Sequence, residues 1–349
     1  MKYLIISLAS GYGGSERTIE LIAEELSKEN HVTILAENEE HIERLRSRNL
    51  DVVEIVKGNS LKATLVNCRI VTRSVSQAEV IIANTNKSAF MLALSRLCLT
   101  KINKNKTIIF VRDYQWKFKR IIKILLRGSK FCIASQAVDE YVRNEFSSIP
   151  YVIQNPVETI FGITQDKQKY NIIICPAMIS RWKGINHLIT AVSLLPADYK
   201  LKVIGKISDS DYFSELQHQV DELSLQNRIE FLSFEKDISQ HYKKCDVVVN
   251  SSISEFGGPE TFGRTIIEAW QYAKPAISFA CGGPKYLIHD GIDGVLVEEG
   301  NAVALAQSIQ GLMKDDDRRI KMGIAGRARV EREFSLPQVV NRLKEIIAD

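Results

Sequence analysis

Short runs of apolar and β-branched residues alternate with amphipathic helical patterns nearly from end to end, and this alternation constrains the fold more than any other feature of the chain. Tyr3–Leu8, Val32–Ala36, Val52–Val56, Val80–Ala83, Ile108–Val111, Phe131–Ala134 and Tyr151–Ile153 read as strands. The segments between them carry helical periodicity, as in Thr18–Glu29, where Ile19, Ile22, Ala23 and Leu26 share one face. A second series begins after a polar stretch: Ile172–Cys175, Leu201–Ile204, Ile229–Leu232, Val247–Asn250, Ala276–Phe279 and Val295–Val297, with helices at Ile185–Leu195, Asp211–Leu223, Phe262–Tyr272 and Ala302–Lys314. The pattern predicts an α/β protein of two doubly wound, Rossmann-like domains in tandem, facing a central cleft where open α/β sheets place ligands. The predicted boundaries are 1–156 for the first domain, 157–170 for a linker, 171–335 for the second domain and 336–349 for a closing helix.

Composition narrows the classes further. With 349 residues, 45% hydrophobic and 25% charged, the chain is long enough for two cores and is neither disordered nor fibrous. Its six cysteines stand apart without a CxxC pair or a zinc-like spacing, which predicts reduced thiols, a cytoplasmic setting and no metal site. No stretch reaches the ~18 apolar residues that cross a bilayer, so membrane contact is expected to be peripheral. Residues 1–155 hold 23 Lys and Arg against 16 Asp and Glu, while 156–349 hold 23 against 26. Within 44–130 the balance is 19 against 4, a footprint for an anionic partner.

The most specific chemistry lies in Pro259-Glu260-Thr261-Phe262-Gly263-Arg264-Thr265-Ile266-Ile267-Glu268, where two glutamates bracket a loop-to-helix junction. Gly257 and Gly258 let backbone N–H groups approach a ligand, and the helix start offers amides and a positive dipole end to a phosphate. Glu260 in the loop could accept hydrogen bonds from sugar hydroxyls, and Glu268 could reach a ribose diol. The same pattern also fits a glycine turn capping a helix with two solvated glutamates. Val247–Ser251 precedes the segment, and Lys274-Pro275-Ala276-Ile277, Gly282-Gly283-Pro284, Asp290-Gly291 and Gly294–Val297 follow it. In that order the set resembles the retaining family 4 glycosyltransferases of the GT-B fold. The resemblance implies that Glu260 contacts the transferred sugar, that Glu268 contacts the ribose, and that Gly257, Gly258, Thr261 and the Phe262-Gly263 backbone line the donor site.

Ile179-Ser180-Arg181-Trp182-Lys183-Gly184 looks like the family's diphosphate-binding strand end, with Lys183 stabilising charge on the departing diphosphate. Where the family usually has Gly-Arg this chain has Ala177-Met178, and Arg181 is a candidate for the missing cation. The loop Ser10–Glu16 resembles the family's Gly-Gly-x-Glu start, which makes Gly13 and Gly14 donor-site candidates. At Arg112-Asp113 many members carry His-Asp near the reacting centre. An arginine cannot act there as a base, so Arg112 is expected to hold a phosphate or to brace the loop beside Asp113.

Lys117–Lys130 reads as a basic amphipathic helix with Phe118, Ile121, Ile122 and Leu125 on one face. Lys117, Lys119, Arg120, Lys123, Arg127 and Lys130 are therefore candidates for an anionic membrane surface or acceptor, although a core-facing helix with a solvated basic face has the same pattern. The expectation is retaining transfer from a nucleoside-diphosphate sugar, with UDP the expected nucleotide, to a lipid-linked or membrane-bound glycan in surface polysaccharide synthesis. It needs no metal or other cofactor, takes place at the inner face of the cell membrane, and involves no nucleic-acid partner. The alternative is a catalytically weak sugar-nucleotide-binding subunit, suggested by Met178 and Arg112.

Overall fold

The computed structural model describes all residues except 10, 59, 99–105, 159, 161–167 and 236. The chain divides into two compact units, Met1–Glu158 with Ser335–Asp349, and Thr159–Phe334.

The first unit runs β1 (Lys2–Ser7), α1 (Gly14–Ser27), β2 (His31–Ala36), α2 (Glu39–Ser47), β3 (Asp51–Glu54), α3 (Leu61–Gln77), β4 (Val80–Ala83), α4 (Asn86–Leu97), β5 (Lys106–Val111), α5 (Lys119–Leu125), β6 (Lys130–Ile133), α6 (Asp139–Phe146) and β7 (Tyr151–Val152). Its strands form one parallel sheet in the order β3-β2-β1-β4-β5-β6-β7. The central strands carry nearly continuous apolar runs because both faces are covered. Ile5, Ile22 and Ile34 belong to the core on one face, and Leu4, Ile6, Ile81 and Ile109 to the core on the other.

The second unit runs β8 (Ile172–Pro176), α7 (Ile185–Ser193), β9 (Lys200–Ile204), α8 (Ser210–Glu222), β10 (Ile229–Leu232), α9 (Ser239–Lys243), β11 (Val247–Asn250), α10 (Arg264–Gln271), β12 (Ala276–Phe279), α11 (Gly282–Leu287), β13 (Gly294–Val297), α12 (Ala302–Lys314) and α13 (Asp316–Arg329). Its parallel sheet has the order β10-β9-β8-β11-β12-β13. Asp246, just before β11, is fully buried. Its carboxylate accepts from the N–H groups of Tyr170 and Ile172 and pairs with Arg319 at 3.0 Å, tying α13 to the sheet.

The final helix, α14 (Leu336–Ala348), belongs to the first unit. Val339, Val340, Leu343, Ile346 and Ile347 recur at helical spacing and are buried with Ile22 and Ile5. Each such side chain contributes about 1.5–3 kcal/mol on burial. Lys106 and Lys130 donate to the last carbonyls of α14, at Ile347 (2.5 Å) and Ile346 (2.6 Å), where cations suit the negative end of a helix. Lys130 thus leaves the expected membrane or acceptor set, because its ammonium caps this helix. The polar stretch taken as linker begins inside the first unit: Val157 bridges to Ser335, and Glu158 pairs with Arg17 and Arg48. Most of the remainder, 159 and 161–167, lies outside the described residues.

Candidate functional site

In the second unit the strand order reverses between β8 and β11, so the loops leaving these two neighbours diverge and open a crevice at the carboxyl ends. The loop after β8 ends at Gly184, whose φ of +57° and position leave no room for a side chain. A Cβ there would lie 2.3 Å from the Ser251 carbonyl. The Ser251 hydroxyl donates to the Lys183 carbonyl (2.8 Å) and the Ile253 N–H to that of Trp182 (2.9 Å), lacing this loop to the one after β11.

The lacing brings Lys183 and Glu260 together, with Nζ 2.5 Å from Oε2 and side chains only 14% and 19% exposed. The same ammonium sits 3.8 Å from the centre of the Trp182 ring. Eight residues on, Glu268 is held at both oxygens, by Arg264 Nε at 2.9 Å and by the Tyr242 hydroxyl at 3.1 Å. Burial, and then the nearby Glu268 charge, raise the Tyr242 pKa well above its ordinary value, so the phenol stays a donor. Gly263 caps α10 at φ +97° without a side-chain cap, placing the positive end of the helix beside Glu260.

A second glycine pair, Gly282-Gly283, forms the bed of this loop. The Gly283 N–H donates to the Glu260 carbonyl at 2.6 Å, and a Cβ on Gly282 or Gly283 would strike the Glu260 carbonyl or the Phe262 backbone. Thr261 is half-buried, and Phe262 is buried with its ring against Phe334. Gly257 is exposed at φ +100°. Gly258 departs from its expected role. Its N–H is used within the turn, to the Glu255 carbonyl at 3.0 Å, and it is a glycine because a Cβ would sit 1.9 Å from the Ile253 carbonyl.

Arg181, the candidate for the cation absent at Met178, is paired with carboxylates. Its guanidinium binds both oxygens of Glu215 at 2.6 and 2.7 Å and lies 3.5 Å from Asp209, so carboxylates of the α8 region take up its charge.

In the first unit the order reverses between β1 and β4, and a recess of about 500 Å³ lies there, lined by Gly11, Gly13, Glu16, Glu37, Lys87 and Asp113. Gly14 is the first residue of α1 and is exposed. Lys87 binds both oxygens of Glu37 at 2.6 and 2.8 Å. Glu16 is 2% exposed; Oε2 accepts from the Ser15 hydroxyl, and Oε1 has no partner among the described residues. Desolvation by surrounding protein raises the Asp113 pKa above the ordinary carboxylate value, against a lowering hydrogen bond from the Gln115 N–H.

Arg112 braces this region: it donates to Asn84 Oδ1 at 2.7 Å and Asn155 Oδ1 at 2.9 Å and lies over the Phe110 ring. Neither asparagine carried a sequence signal, since only folding brings 84, 112 and 155 together.

The expected helix over Lys117–Lys130 is helical only from Lys119 to Leu125. Ile122 and Leu126 enter the core, while Phe118, Ile121 and Ile124 are exposed. Lys117, Arg120 and Arg127 are also exposed. Lys119 pairs with Glu145 at 2.6 Å, and Lys123 donates to the Ser147 hydroxyl at 2.7 Å. Among the described residues no three His, Cys, Asp or Glu side chains gather as a metal site, and no helix is long and apolar enough to cross a membrane.

Comparison with known proteins places this geometry. Residues 156–329 match the family model "Glycosyl transferases group 1". The lipopolysaccharide core biosynthesis glycosyltransferase LpsE of Rhizobium meliloti is 26% identical over 166 residues, 48% of this chain and 46% of LpsE. A D-inositol 3-phosphate glycosyltransferase of Corynebacterium aurimucosum is 29% identical over 179 residues, 49% of this chain and 41% of that protein. The chain thus spans less than half the length of these curated relatives. The crystal structure of Anabaena HepE in complex with UDP superposes with a TM-score of 0.87 at 22% identity, covering 100% of both chains. A Rickettsia africae glycosyltransferase gives 0.86 at 24% identity, covering 99% of this chain and 97% of that one. The shared fold is GT-B.

Proposed function

We propose, for a chain whose residues 156–329 match the model of the group 1 glycosyl transferases, that it moves a sugar from a UDP-linked donor to a glycan acceptor with retention at the anomeric carbon. The observation that carries this reading is the Lys183–Glu260 ion pair at the reversal of strand order, next to the positive end of α10. An ammonium and a helix N-terminus together suit a diphosphate, and a carboxylate beside them suits sugar hydroxyls.

The donor enters by exchange. Its diphosphate takes the Lys183 ammonium from Glu260, which frees the Glu260 carboxylate to accept from the sugar. Glu268, oriented by Arg264 and Tyr242, accepts from the ribose hydroxyls. As the glycosidic bond breaks, negative charge grows on the leaving diphosphate, and Lys183 with the α10 dipole stabilises it without a metal. In the front-face course the leaving phosphate oxygen takes the acceptor proton, so Arg112 need not act as a base. UDP is the favoured nucleotide because HepE, which shares the fold over its full length, binds it.

The acceptor is lipid-linked or membrane-bound and is met at the cytoplasmic face of the membrane. Exposed Phe118, Ile121 and Ile124 beside Lys117, Arg120 and Arg127 support this part of the reading. The test is UDP release from UDP-sugars in the presence of membranes and EDTA, for the native protein and for Glu260→Ala. Acceptor-dependent release that the variant loses is the expected result. UDP binding without release in any preparation would favour a donor-binding subunit instead.

A further inference from the structure

We infer that the first unit carries a separate binding site for a small phosphorylated sugar or polyol, in a cavity at the amino ends of β1, β2 and β3 where Lys2 and Arg73 take the phosphate and Asp51 takes hydroxyls. The cavity measures about 500 Å³ and is walled by this corner of the sheet and by the second half of α3. It lies at the opposite end of the strands from the recess at the β1–β4 reversal.

A parallel sheet covered by helices ordinarily turns apolar side chains into the layer between them. Side chains alternate between the two faces of β1–β3, and on the face toward α3 the rule holds for Leu4, Leu35 and Val53. Nearer the amino ends the same face carries Lys2, in register with His31, and Thr33, in register with Asp51. From the other side α3 presents Ile70, Arg73, Ser74 and Gln77, a single stripe at i, i+3, i+4 and i+7. Polar groups therefore line both walls, over an apolar floor that includes Leu4, Val53 and Ile70. An apolar base with a few convergent polar groups, in a space of roughly 300–1,000 Å³, is the composition of a small-molecule site.

The unused hydrogen-bonding capacity of these groups defines the ligand. The walls hold two cations, Lys2 and Arg73, against one carboxylate, Asp51, and neither cation has an ion pair among the described residues. Glu79 follows α3, but its carboxylate accepts from the backbone N–H of Lys2 at 2.7 Å and does not line the cavity. Asp51 is held at one oxygen: Oδ2 accepts from the Thr33 hydroxyl at 2.7 Å, and that hydroxyl lies 3.5 Å from His31 Nε2. The other oxygen can accept from a ligand hydroxyl. A bare anion would be repelled by Asp51, and a neutral sugar would leave both cations without a partner. A phosphate on a hydroxylated carbon skeleton satisfies both ends, and the Gln77 amide can donate to the one or accept from the other.

Isothermal titration with glucose 6-phosphate, inorganic phosphate, glucose and UDP tests the site in the native protein and in Lys2→Gln, Arg73→Gln and Asp51→Asn. All three side chains are exposed, so folding is preserved, and urea unfolding midpoints equal to the native one check this. The native protein is expected to bind glucose 6-phosphate at least ~10-fold more tightly than either inorganic phosphate or glucose. Lys2→Gln and Arg73→Gln are each expected to weaken it by about fivefold to tenfold, the loss of one charge-assisted contact. Asp51→Asn is expected to cut the preference for glucose 6-phosphate over inorganic phosphate by about fivefold, and all three variants are expected to bind UDP like the native protein.

A native protein that does not bind glucose 6-phosphate, or Lys2→Gln and Arg73→Gln variants that bind it like the native one, overturns the site. Displacement of glucose 6-phosphate by UDP also overturns it, because the sugar phosphate would then occupy the donor site. Inorganic phosphate bound as tightly as glucose 6-phosphate overturns the part given to Asp51. Retention on vesicles containing phosphatidylinositol phosphate, without binding of the soluble probe, overturns the site in favour of a lipid surface. The glycosyl-transfer reading stands or falls separately, on UDP binding and release.

Discussion

Replacing Lys183 by Met tests the exchange at the donor site in a form that the geometry makes quantitative. In the native protein the ammonium lies 2.5 Å from Glu260, and both side chains are largely shielded from solvent. A hydrogen bond to a charged group contributes about 1.5–3 kcal/mol. UDP must give up part of that gain, because it displaces an existing partner of the lysine. The variant loses the phosphate contact and also leaves the Glu260 carboxylate facing an anionic ligand without its counter-ion, and both effects weaken binding. Together they amount to about 2–3 kcal/mol, or roughly 30- to 150-fold in Kd.

The competition between Glu260 and phosphate for one ammonium has a further consequence. Glu260→Gln alone should leave UDP affinity unchanged or tighten it, since the lysine no longer has a charged competitor. In Lys183→Met/Glu260→Gln the repulsion is gone, so about 1 kcal/mol of the Lys183→Met loss should return, a non-additivity expected of contacting residues. Isothermal titration of UDP into the four proteins measures all three quantities. A Lys183→Met protein within twofold of native, or strictly additive substitutions, would refute the exchange.

Three further outcomes follow from other parts of the molecule. Arg181→Ala should leave UDP affinity within about twofold, because Glu215 and Asp209 already hold the guanidinium; a loss as large as that of Lys183→Met would restore Arg181 to the donor site. His41 is fully buried with neither ring nitrogen bonded among the described residues, and burial, then Arg44, lowers its pKa from 6.5 to about 4. The unfolded chain therefore binds more protons between those values, so stability falls as pH drops from 6.5 through 4. That loss, about 3 kcal/mol, should vanish in His41→Leu when urea unfolding is compared at pH 7 and pH 4. Leu343→Ala should cost about 2–5 kcal/mol in the same assay, since Leu343 is fully buried in the first unit's core.

The sequence by itself determined the α/β architecture, nearly every strand, and the segments on which the chemistry lies. Strands buried on both faces must be short and apolar, and helices covering them must be apolar on one stripe, so both leave a periodic trace. The segment around Glu260 and Glu268 was legible for a similar reason: glycines fixed by left-handed φ and a carboxylate at a helix start are local features. Charge was less faithful. The basic excess of residues 44–130 includes Lys106 and Lys130, which cap a helix more than 200 residues away, and Arg96, which bonds to the Thr107 hydroxyl and the Leu125 carbonyl. Likewise, Lys183 and Arg181 are near neighbours of the same charge. Only the fold decides that one meets Glu260 at the strand reversal and the other is consumed by Glu215. Side-chain partners of high sequence separation, such as Asn84 and Asn155 around Arg112 or Tyr242 and Arg264 around Glu268, are set by where the sheet order turns back, and periodicity along the chain does not encode that juxtaposition.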